Sequence, residues 1–340
     1  MPEKPKDITY LDKQLKILRW DKHGDLLRKV SEVGGEVYNK FNPWTPLKLC
    51  GLSYFAGGYA QILKKLKMLY KNKYSSNFEV IYIDLFSGCG INKIEDTLIA
   101  GSPLVCIDSA TNRKVEFDTM FFNDSNLGYC SALKKRLEFL EKKKTFNWIS
   151  DRYTILNKDC NDALEEIVNY LNKITNKNFL AFIDPYSLEL SWSCMEELLS
   201  IPFGDFMITF QARFAARAVG QYLSSKSSSS GQSIKRFLGE EDENILTTLC
   251  SEKIIKDYYI NKIRNYRKFV VDIEVRGGKS TPYKYHMIFA TRKQNPPWAD
   301  YVVQMKKLIE SFSGDLVTTS LNYLTGKISR IEDYGPSKEK

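Results

Sequence analysis

The sequence has little of what builds metal centres, disulfide frameworks and membrane spans. Its 340 residues include only two histidines, and the seven cysteines are scattered singly with no C-x-x-C pair. This pattern argues against a zinc site and against a disulfide scaffold. No apolar run approaches the ~20 residues of a membrane helix, and the polar start contains no signal peptide. We therefore expect a cytoplasmic protein with reduced thiols and no membrane contact.

The chain has fewer acidic than basic residues. The chain carries 50 Lys and Arg against 41 Asp and Glu, a formal net charge of +9. That excess suits a polyanionic partner such as RNA or DNA, although a lysine-rich proteome would give the same balance without any binding role. The lysine run from Lys64 to Lys73 has the same two interpretations: a solvated helix face, or a surface that contacts phosphates.

One stretch, VIYIDLFSGCG from Val80 to Gly90, organises the rest of the chain. Its first four residues are all β-branched or aromatic and do not alternate with polar residues, which is typical of a buried strand in a parallel sheet. Asp84 ends this strand, and Gly88 and Gly90 allow a sharp turn that a ligand can approach closely. The NAD fingerprint needs a third glycine where Lys93 stands, so this stretch fits the first motif of S-adenosylmethionine (SAM) methyltransferases better. A glycine turn in some other α/β protein is the alternative.

Strand-like and helix-like segments alternate after this stretch. We expect parallel strands at Val80–Asp84, Phe117–Asn123, Tyr153–Leu156, Phe179–Ile183 and Asp205–Phe210, then a hairpin of Phe269–Val275 and Tyr285–Ala290. Five βα units followed by a hairpin predict a Rossmann-like class I methyltransferase fold, a mostly parallel sheet with a C-terminal antiparallel hairpin. Plain Rossmann dehydrogenases lack that hairpin.

The chain divides into three expected regions. These are an N-terminal helical extension (1–75), a methyltransferase-like domain (76–295) with a helical insertion (211–267), and a C-terminal helix and tail (296–340).

Several local features are expected within these regions. A frayed arm at 1–15 is followed by a substrate-side or capping segment at 16–47. Hydrophobic spacing predicts helices at Leu47–Tyr70, Asn244–Tyr266 and Trp298–Phe312, the last followed by a weakly structured tail. The pair Gly57-Gly58 predicts a kink or a close packing contact in the first of these helices. The serine-rich stretch Ser224–Gly231 predicts a flexible loop.

An acid follows each of the first four predicted strands: Asp84, Asp124, Asp159 and Asp184. Ligands of such sheets bind outside the carboxyl ends of the strands. Each acid alone could instead cap a helix or favour a turn. The four together favour a ligand site, because carboxylates are rarely buried without partners.

The chemistry of SAM assigns roles to these acids. Asp124 can accept from both ribose hydroxyls, and Asp159 can accept from the adenine amine. The acid beside the glycine turn would face the methionine portion, with Phe86 and Phe122 as apolar walls. The predicted cofactor-binding residues are Asp84, Phe86, Gly88, Gly90, Asp124 and Asp159.

The tripeptide Asp184-Pro185-Tyr186 resembles the Asp-Pro-Pro-Tyr motif of amino methyltransferases with one proline missing. In that motif the acid and the proline backbone hold a target amine, and the aromatic ring stacks on a base. Asp184 and Tyr186 are therefore the predicted catalytic residues, with a simple loop-forming turn as the alternative. The absence of a Pro-Cys dipeptide argues against methylation of a cytosine carbon through a cysteine nucleophile.

In the order of several motifs the chain resembles the three-Cys-motif partner (TcmP) family. The matching pieces are Trp44-Thr45 with Lys48, YIDLFSGCG at 82–90, Gly101-Ser102-Pro103, Asn123-Asp124, FIDPYSLELSW at 182–192, Phe237-Leu238-Gly239 and YHMIFATRK at 285–293. Cys89 stands where the family's turn has proline, and we expect it to be a packed side chain. The resemblance implies a methyltransferase-like fold and a functional link to a radical-SAM-like partner with a three-cysteine motif. It supplies no substrate.

Two functions therefore remain open. The first is SAM-dependent methyl transfer, acting on nucleic acid together with the three-cysteine partner. The second is a non-catalytic module that binds nucleic acid or the partner on a methyltransferase fold, favoured by the missing proline and the insertion.

Overall fold

The computed structural model describes residues 6–74, 77–226, 229–279, 283–296 and 298–329. The strands in these ranges are β1 (Asn39–Lys40), β2 (Glu79–Asp84), β3 (Ile91–Ile94), β4 (Thr97–Ala100), β5 (Thr119–Asn123), β6 (Tyr153–Leu156), β7 (Lys177–Ile183), β8 (Gly204–Phe210), β9 (Phe269–Arg276) and β10 (Lys284–Thr291). The helices are α1 (Lys6–Leu18), α2 (Leu26–Val33), α3 (Thr45–Tyr74), α4 (Ser102–Asn112), α5 (Leu127–Glu141), α6 (Cys160–Lys173), α7 (Trp192–Ser200), α8 (Ala212–Ser224), α9 (Ser229–Leu238), α10 (Glu243–Thr248), α11 (Glu252–Arg264), α12 (Ala299–Ser311) and α13 (Gly314–Leu324).

Within the described ranges, the large sheet has seven strands in the order β6-β5-β2-β7-β8-β10-β9. The first five are parallel, and β10 pairs antiparallel with both β8 and β9. This is the strand order of class I methyltransferases, so the predicted fold and its terminal hairpin are confirmed. The chain moves outward from β2 to β5 and β6 and then returns to β7. The order therefore reverses between β2 and β7, where open α/β sheets bind ligands.

Both faces of this sheet are covered by helices. In β2, Val80 and Tyr82 face a core built with α1–α5, α12 and α13, while Ile81 and Ile83 face a core built with α6–α11. Burial on both faces is the reason why the strand is an unbroken apolar run in the sequence. In the part of the chain that is described, no helix has the length and apolarity needed to cross a membrane.

The two ends of the described chain pack on each other. Leu11 and Leu15 of α1 are fully buried, and the Tyr10 ring stacks on Phe312 with centroids 6.5 Å apart. The expected frayed arm is therefore wrong for residues 6–15, and the expected weak tail is wrong for α13; residues 1–5 and 330–340 lie outside the described residues. Helices α1 and α13 pack against each other, and Arg19 after α1 donates to the Leu324 carbonyl of α13 at 3.0 Å, a contact between distant parts of the chain that local sequence does not reveal.

A small sheet near the glycine turn is absent from our predictions. Strands β3 and β4 form an antiparallel hairpin, and β1 pairs parallel with β3. The Gly101 N–H, after β4, donates to the Gly90 carbonyl, before β3, at 2.7 Å, so the two ends of the hairpin lie next to each other. A Cβ on Gly101 would lie 2.9 Å from the Gly90 backbone, which explains why glycine is needed there.

The described part of the 211–267 segment contains four helices, α8 to α11, packed into the second core. The single helix predicted over Asn244–Tyr266 is wrong. It divides into α10 and α11 because Ser251 begins a new helix, its hydroxyl accepting from the Ile254 N–H at 3.3 Å. In the predicted Ser224–Gly231 loop, residues 227 and 228 lie outside the described residues, and α8 and α9 occupy its two ends.

Candidate functional site

A cleft of about 1080 Å³ opens at the carboxyl ends of the parallel strands. Residues between 38 and 48, from the end of the segment predicted at 16–47 to be substrate-side or capping to the start of α3, border it. Asp84 and Gly90 are buried and do not line it. Six of the eight predicted site residues do line it: Phe86, Gly88, Asp124, Asp159, Asp184 and Tyr186.

Asp124 holds the glycine turn in place. Its Oδ2 accepts from the Gly88 N–H at 3.0 Å, and its Oδ1 accepts from the Asn126 N–H at 2.8 Å. Partial burial raises the pKa of Asp124, and the N–H groups of Asn126 and Gly88 oppose that shift. Each carboxylate oxygen can accept a further hydrogen bond. The side chain can therefore shape the turn and still receive two hydroxyls from the cleft.

Asn123, which we predicted only as part of a motif, ties three strand ends together. Its Nδ2 donates to the carbonyls of Leu85 and Lys158, both at 3.2 Å, and its Oδ1 accepts from the Lys158 N–H at 3.2 Å. Its own carbonyl accepts from the Ser87 N–H at 2.8 Å. The loops after β2, β5 and β6 therefore form one hydrogen-bonded unit beneath the cleft.

The two predicted glycines adopt left-handed backbone conformations, with φ of 57° at Gly88 and 80° at Gly90. A Cβ on Gly88 would lie 2.2 Å from the Asn39 amide, and one on Gly90 would lie 2.8 Å from Leu133. We expected a ligand to approach these Cα atoms. Here protein side chains fill that space, so backbone conformation and packing require the glycines.

Asp84 lies at the end of β2 and is fully buried. Its Oδ1 accepts from the Phe86 N–H at 3.3 Å, and its Oδ2 has no hydrogen-bond partner among the described residues. Burial raises the pKa of Asp84 to about 7, the Ser102 hydroxyl opposes the shift, and Asp184 and Asp124 add to it. Burial therefore favours the neutral form of the Asp84 carboxyl.

Asp159 has the capping role that we left open. It is the N-cap of α6, where its Oδ1 accepts from the Asn161 N–H at 2.9 Å, and it also lines the cleft.

Cys89 is fully buried, and its thiol donates to the Ile91 carbonyl at 3.2 Å, as expected for a packed side chain. In the described ranges, no group of three or more His, Cys, Asp or Glu side chains could hold a metal ion.

Asp184 forms an ion pair with Lys48 from the first turn of α3. The two side chains are 15% and 12% exposed, and both line the cleft. The Lys48 ammonium also lies 5.3 Å from the Phe41 ring centroid. Sequence reasoning gave Lys48 no role, because its partner lies 136 residues away in the chain.

Tyr186 projects into the cleft mouth with 81% of its surface exposed, but its backbone is fixed. The Tyr186 carbonyl accepts from Gln211 Nε2 at 3.0 Å, and Gln211 Oε1 accepts from the Tyr283 hydroxyl at 2.9 Å. The Tyr283 ring stacks on Trp44 with centroids 5.0 Å apart. Aromatic rings from three parts of the chain, at residues 41–44, 186 and 283, thus surround the Asp184 side of the cleft. Our predictions did not include Gln211 and Tyr283, since the returning hairpin brings Tyr283 there.

Arg136 of α5 is fully buried and joins the N-terminal segment to the glycine turn. Its guanidinium donates to the carbonyls of Cys89 at 2.6 Å, Val37 at 2.8 Å, Ser31 at 3.2 Å and Val30 at 3.3 Å. Such a planar group with five donors can satisfy several carbonyls at once. Arg136 therefore positions one wall of the cleft.

A scan against models of protein families finds no match, and no curated protein matches the chain. The chain is similar to an O-methyltransferase from Bacillus cereus crystallised with SAH, at 12% identity and a TM-score of 0.41, covering 83% of this chain and 100% of that one. It is also similar to a protein from Legionella pneumophila, at 14% identity and a TM-score of 0.40, covering 72% of this chain and 87% of that one. At TM-scores below 0.5, the fold assignment rests on the strand order and not on these likenesses.

Proposed function

We propose that this protein is a SAM-dependent methyltransferase that binds SAM in the cleft, beside an acceptor held by Asp184 and Tyr186. The observation that carries the proposal is the convergence of Asp124, Asp159 and Asp184 on one cleft, next to the point where the strand order reverses between β2 and β7. Ligands of open parallel sheets bind at this point. When bound, SAM supplies a methyl group activated by a positively charged sulfur.

The groups at this point suit SAM chemically. The carboxylates of Asp124 and Asp159 on the cleft wall favour a cationic ligand. The oxygens of Asp124 can accept from a ribose diol, and Asp159 can accept from the adenine amine at the rim of the cleft. Thr209 of β8 adds a buried hydroxyl on the cleft wall that has no hydrogen-bond partner in the described part of the chain.

We extend the proposal to a nucleic-acid acceptor. The net charge of +9 and the aromatic rings around Asp184 support it. The cleft volume of about 1080 Å³ exceeds the roughly 300–1,000 Å³ of ordinary small-ligand pockets, which leaves room for an acceptor beside the cofactor.

We also propose a partner with a three-cysteine motif and membership of the TcmP family. The support for both is the motif resemblance alone. Co-purification of a tagged copy with a candidate radical-SAM-like protein, detected by mass spectrometry and repeated with purified components, tests the partnership.

Isothermal titration calorimetry with SAM tests the proposed activity. We expect the wild-type protein to bind SAM and Asp124→Ala to lose binding by more than about tenfold, because two ribose hydrogen bonds disappear. The matched control is Asp162→Asn, an exposed acid in the first turn of α6, which should bind as the wild type does. Failure of the wild type to bind SAM would overturn the enzyme proposal. Salt-sensitive binding of RNA or DNA without SAM affinity would instead favour the non-catalytic module.

A further inference from the structure

We propose that Lys48 determines the acceptor: together with Asp184 it recognises a nucleobase amine that lies beside an unprotonated ring nitrogen. This inference rests on the proposed function, because it concerns the acceptor side of the same cleft. It assigns a specificity role to a residue that carries none so far.

The first step is the unusual cost of the Lys48–Asp184 pair. Both side chains are largely removed from water, at 12% and 15% exposed, and yet both line an open cleft. Removing two charges from water is repaid only when geometry is good and further hydrogen bonds form. An apolar pair would join α3 to the end of β7 at lower cost. The location of the pair in the cleft therefore points to recognition.

The second step is what the pair leaves available. Asp184 Oδ2 is the oxygen that receives the Lys48 ammonium, and the described residues give Asp184 Oδ1 no hydrogen bond. An ammonium has three donors and a carboxylate accepts on both oxygens. The pair therefore presents a hydrogen-bond acceptor and a donor side by side.

The third step matches this arrangement to a ligand. A base amine donates, and an adjacent ring nitrogen accepts. Adenine and cytosine have this combination, as does guanine at its 2-amine and N3, whereas uracil has no amine. The surrounding rings of Trp44, Phe41, Tyr186 and Tyr283 suit a planar aromatic ligand that can stack. An aliphatic amine would use Asp184 but would leave the Lys48 donor without a partner.

The test measures base preference directly. Labelled 12-mer RNAs of A, C or U are titrated by fluorescence anisotropy, with SAH present to load the cofactor side without turnover. We expect the A or C oligomer to bind about tenfold more tightly than the U oligomer. Equal binding of all three, or no measurable binding of any, overturns the inference.

Two further measurements assign the preference to Lys48. Replacing the preferred base by its deaza analogues (1-deaza and 7-deaza for adenine, 3-deaza for cytosine) should cost the wild type about tenfold for one analogue. In Lys48→Met the preference should fall to within about twofold and the deaza effect should vanish, while Lys65→Met, exposed on the same helix, keeps both. Unchanged preference in Lys48→Met, or deaza oligomers that all bind like their parent, contradicts the role. The deaza series on the wild type needs no folded variant.

The SAM titration separates this inference from the proposed function. If the wild type shows neither SAM binding nor base preference, both the proposed function and the role of Lys48 are contradicted. SAM binding without base preference contradicts the role of Lys48 alone.

Discussion

The Asp124 carboxylate and the Gly88 N–H are joined by a hydrogen bond of 3.0 Å between the ends of two neighbouring strands. One side chain therefore supports the glycine turn and faces the cleft at the same time. Loss of Asp124 removes both contributions together. For other residues in the site, a substitution can remove the contribution to ligand binding and keep the contribution to structure.

Asp159 allows such a separation, because glycine is also a tolerated N-cap. Asp159→Gly should keep the free energy of unfolding within about 0.5 kcal/mol of wild type and weaken SAM binding about fivefold. Asp159→Asn retains a side-chain oxygen and should preserve both. Calorimetry with SAM and urea denaturation measure the two quantities. If Asp159→Gly binds SAM as the wild type does, the residue serves only as the cap of α6.

Asp84 should make stability depend on pH. Its pKa is about 7 in the folded protein against the ordinary 3.8, because burial disfavours the charge. Below pH 4 the group is protonated in both states and costs nothing. Between pH 4 and 7 the unfolded chain releases the proton first, so folding loses stability as pH rises, by up to about 4 kcal/mol.

The variant Asp84→Asn removes this titration. The free energy of unfolding of the variant minus that of the wild type should rise between pH 4 and 7 and level off above pH 7. Asp205, whose pKa burial also raises to about 7, is present in both proteins and cancels. Urea denaturation at half-unit pH steps measures the difference. A difference that stays flat would show that Asp84 is ionised throughout this range.

Arg136 should be irreplaceable by lysine. A single ammonium cannot reach carbonyls on both Cys89 and the 30–37 segment, so Arg136→Lys should cost roughly 2–4 kcal/mol of unfolding free energy. SAM affinity should fall with it, because the glycine turn loses its anchor. The control Arg152→Lys, at an exposed pair with Glu116, should change stability by less than about 0.5 kcal/mol. Equal effects of the two changes would contradict the positioning role.

Adjacent glycines in α3 should respond in opposite directions to alanine. A Cβ on Gly58 meets nothing closer than 3.8 Å, so Gly58→Ala should stabilise the protein by about 0.5–1 kcal/mol through helix propensity. A Cβ on Gly57 would lie 2.5 Å from the Ser109 carbonyl of α4, so Gly57→Ala should destabilise it by roughly 1–3 kcal/mol. The sequence predicted either a kink or a close packing contact at this pair, and Gly57 has the close packing contact. Equal effects in urea denaturation would argue against that packing.

Sequence by itself determined the parallel strands, the terminal hairpin and the acids after four strands. Strands buried on both faces need unbroken apolar runs, and turns need glycine or short polar residues, so a few neighbouring residues carry this information. The convergence of six predicted site residues on one cleft follows from it, because parallel strands bring their carboxyl ends to one edge.

Only the tertiary structure decided which side chains meet at that edge. Lys48 forms an ion pair with Asp184, and Asn123 forms hydrogen bonds that join three loops. Arg136 donates hydrogen bonds to the glycine turn. Tyr283 donates to Gln211, which in turn donates to the Tyr186 carbonyl. The same holds for the packing of α1 on α13 and for the β3–β4 hairpin, which lies between the hydrogen-bonded Gly90 and Gly101. Each contact joins segments that are distant in the chain, and its energy comes from burial and hydrogen bonds that exist only after the sheet has fixed the strand order.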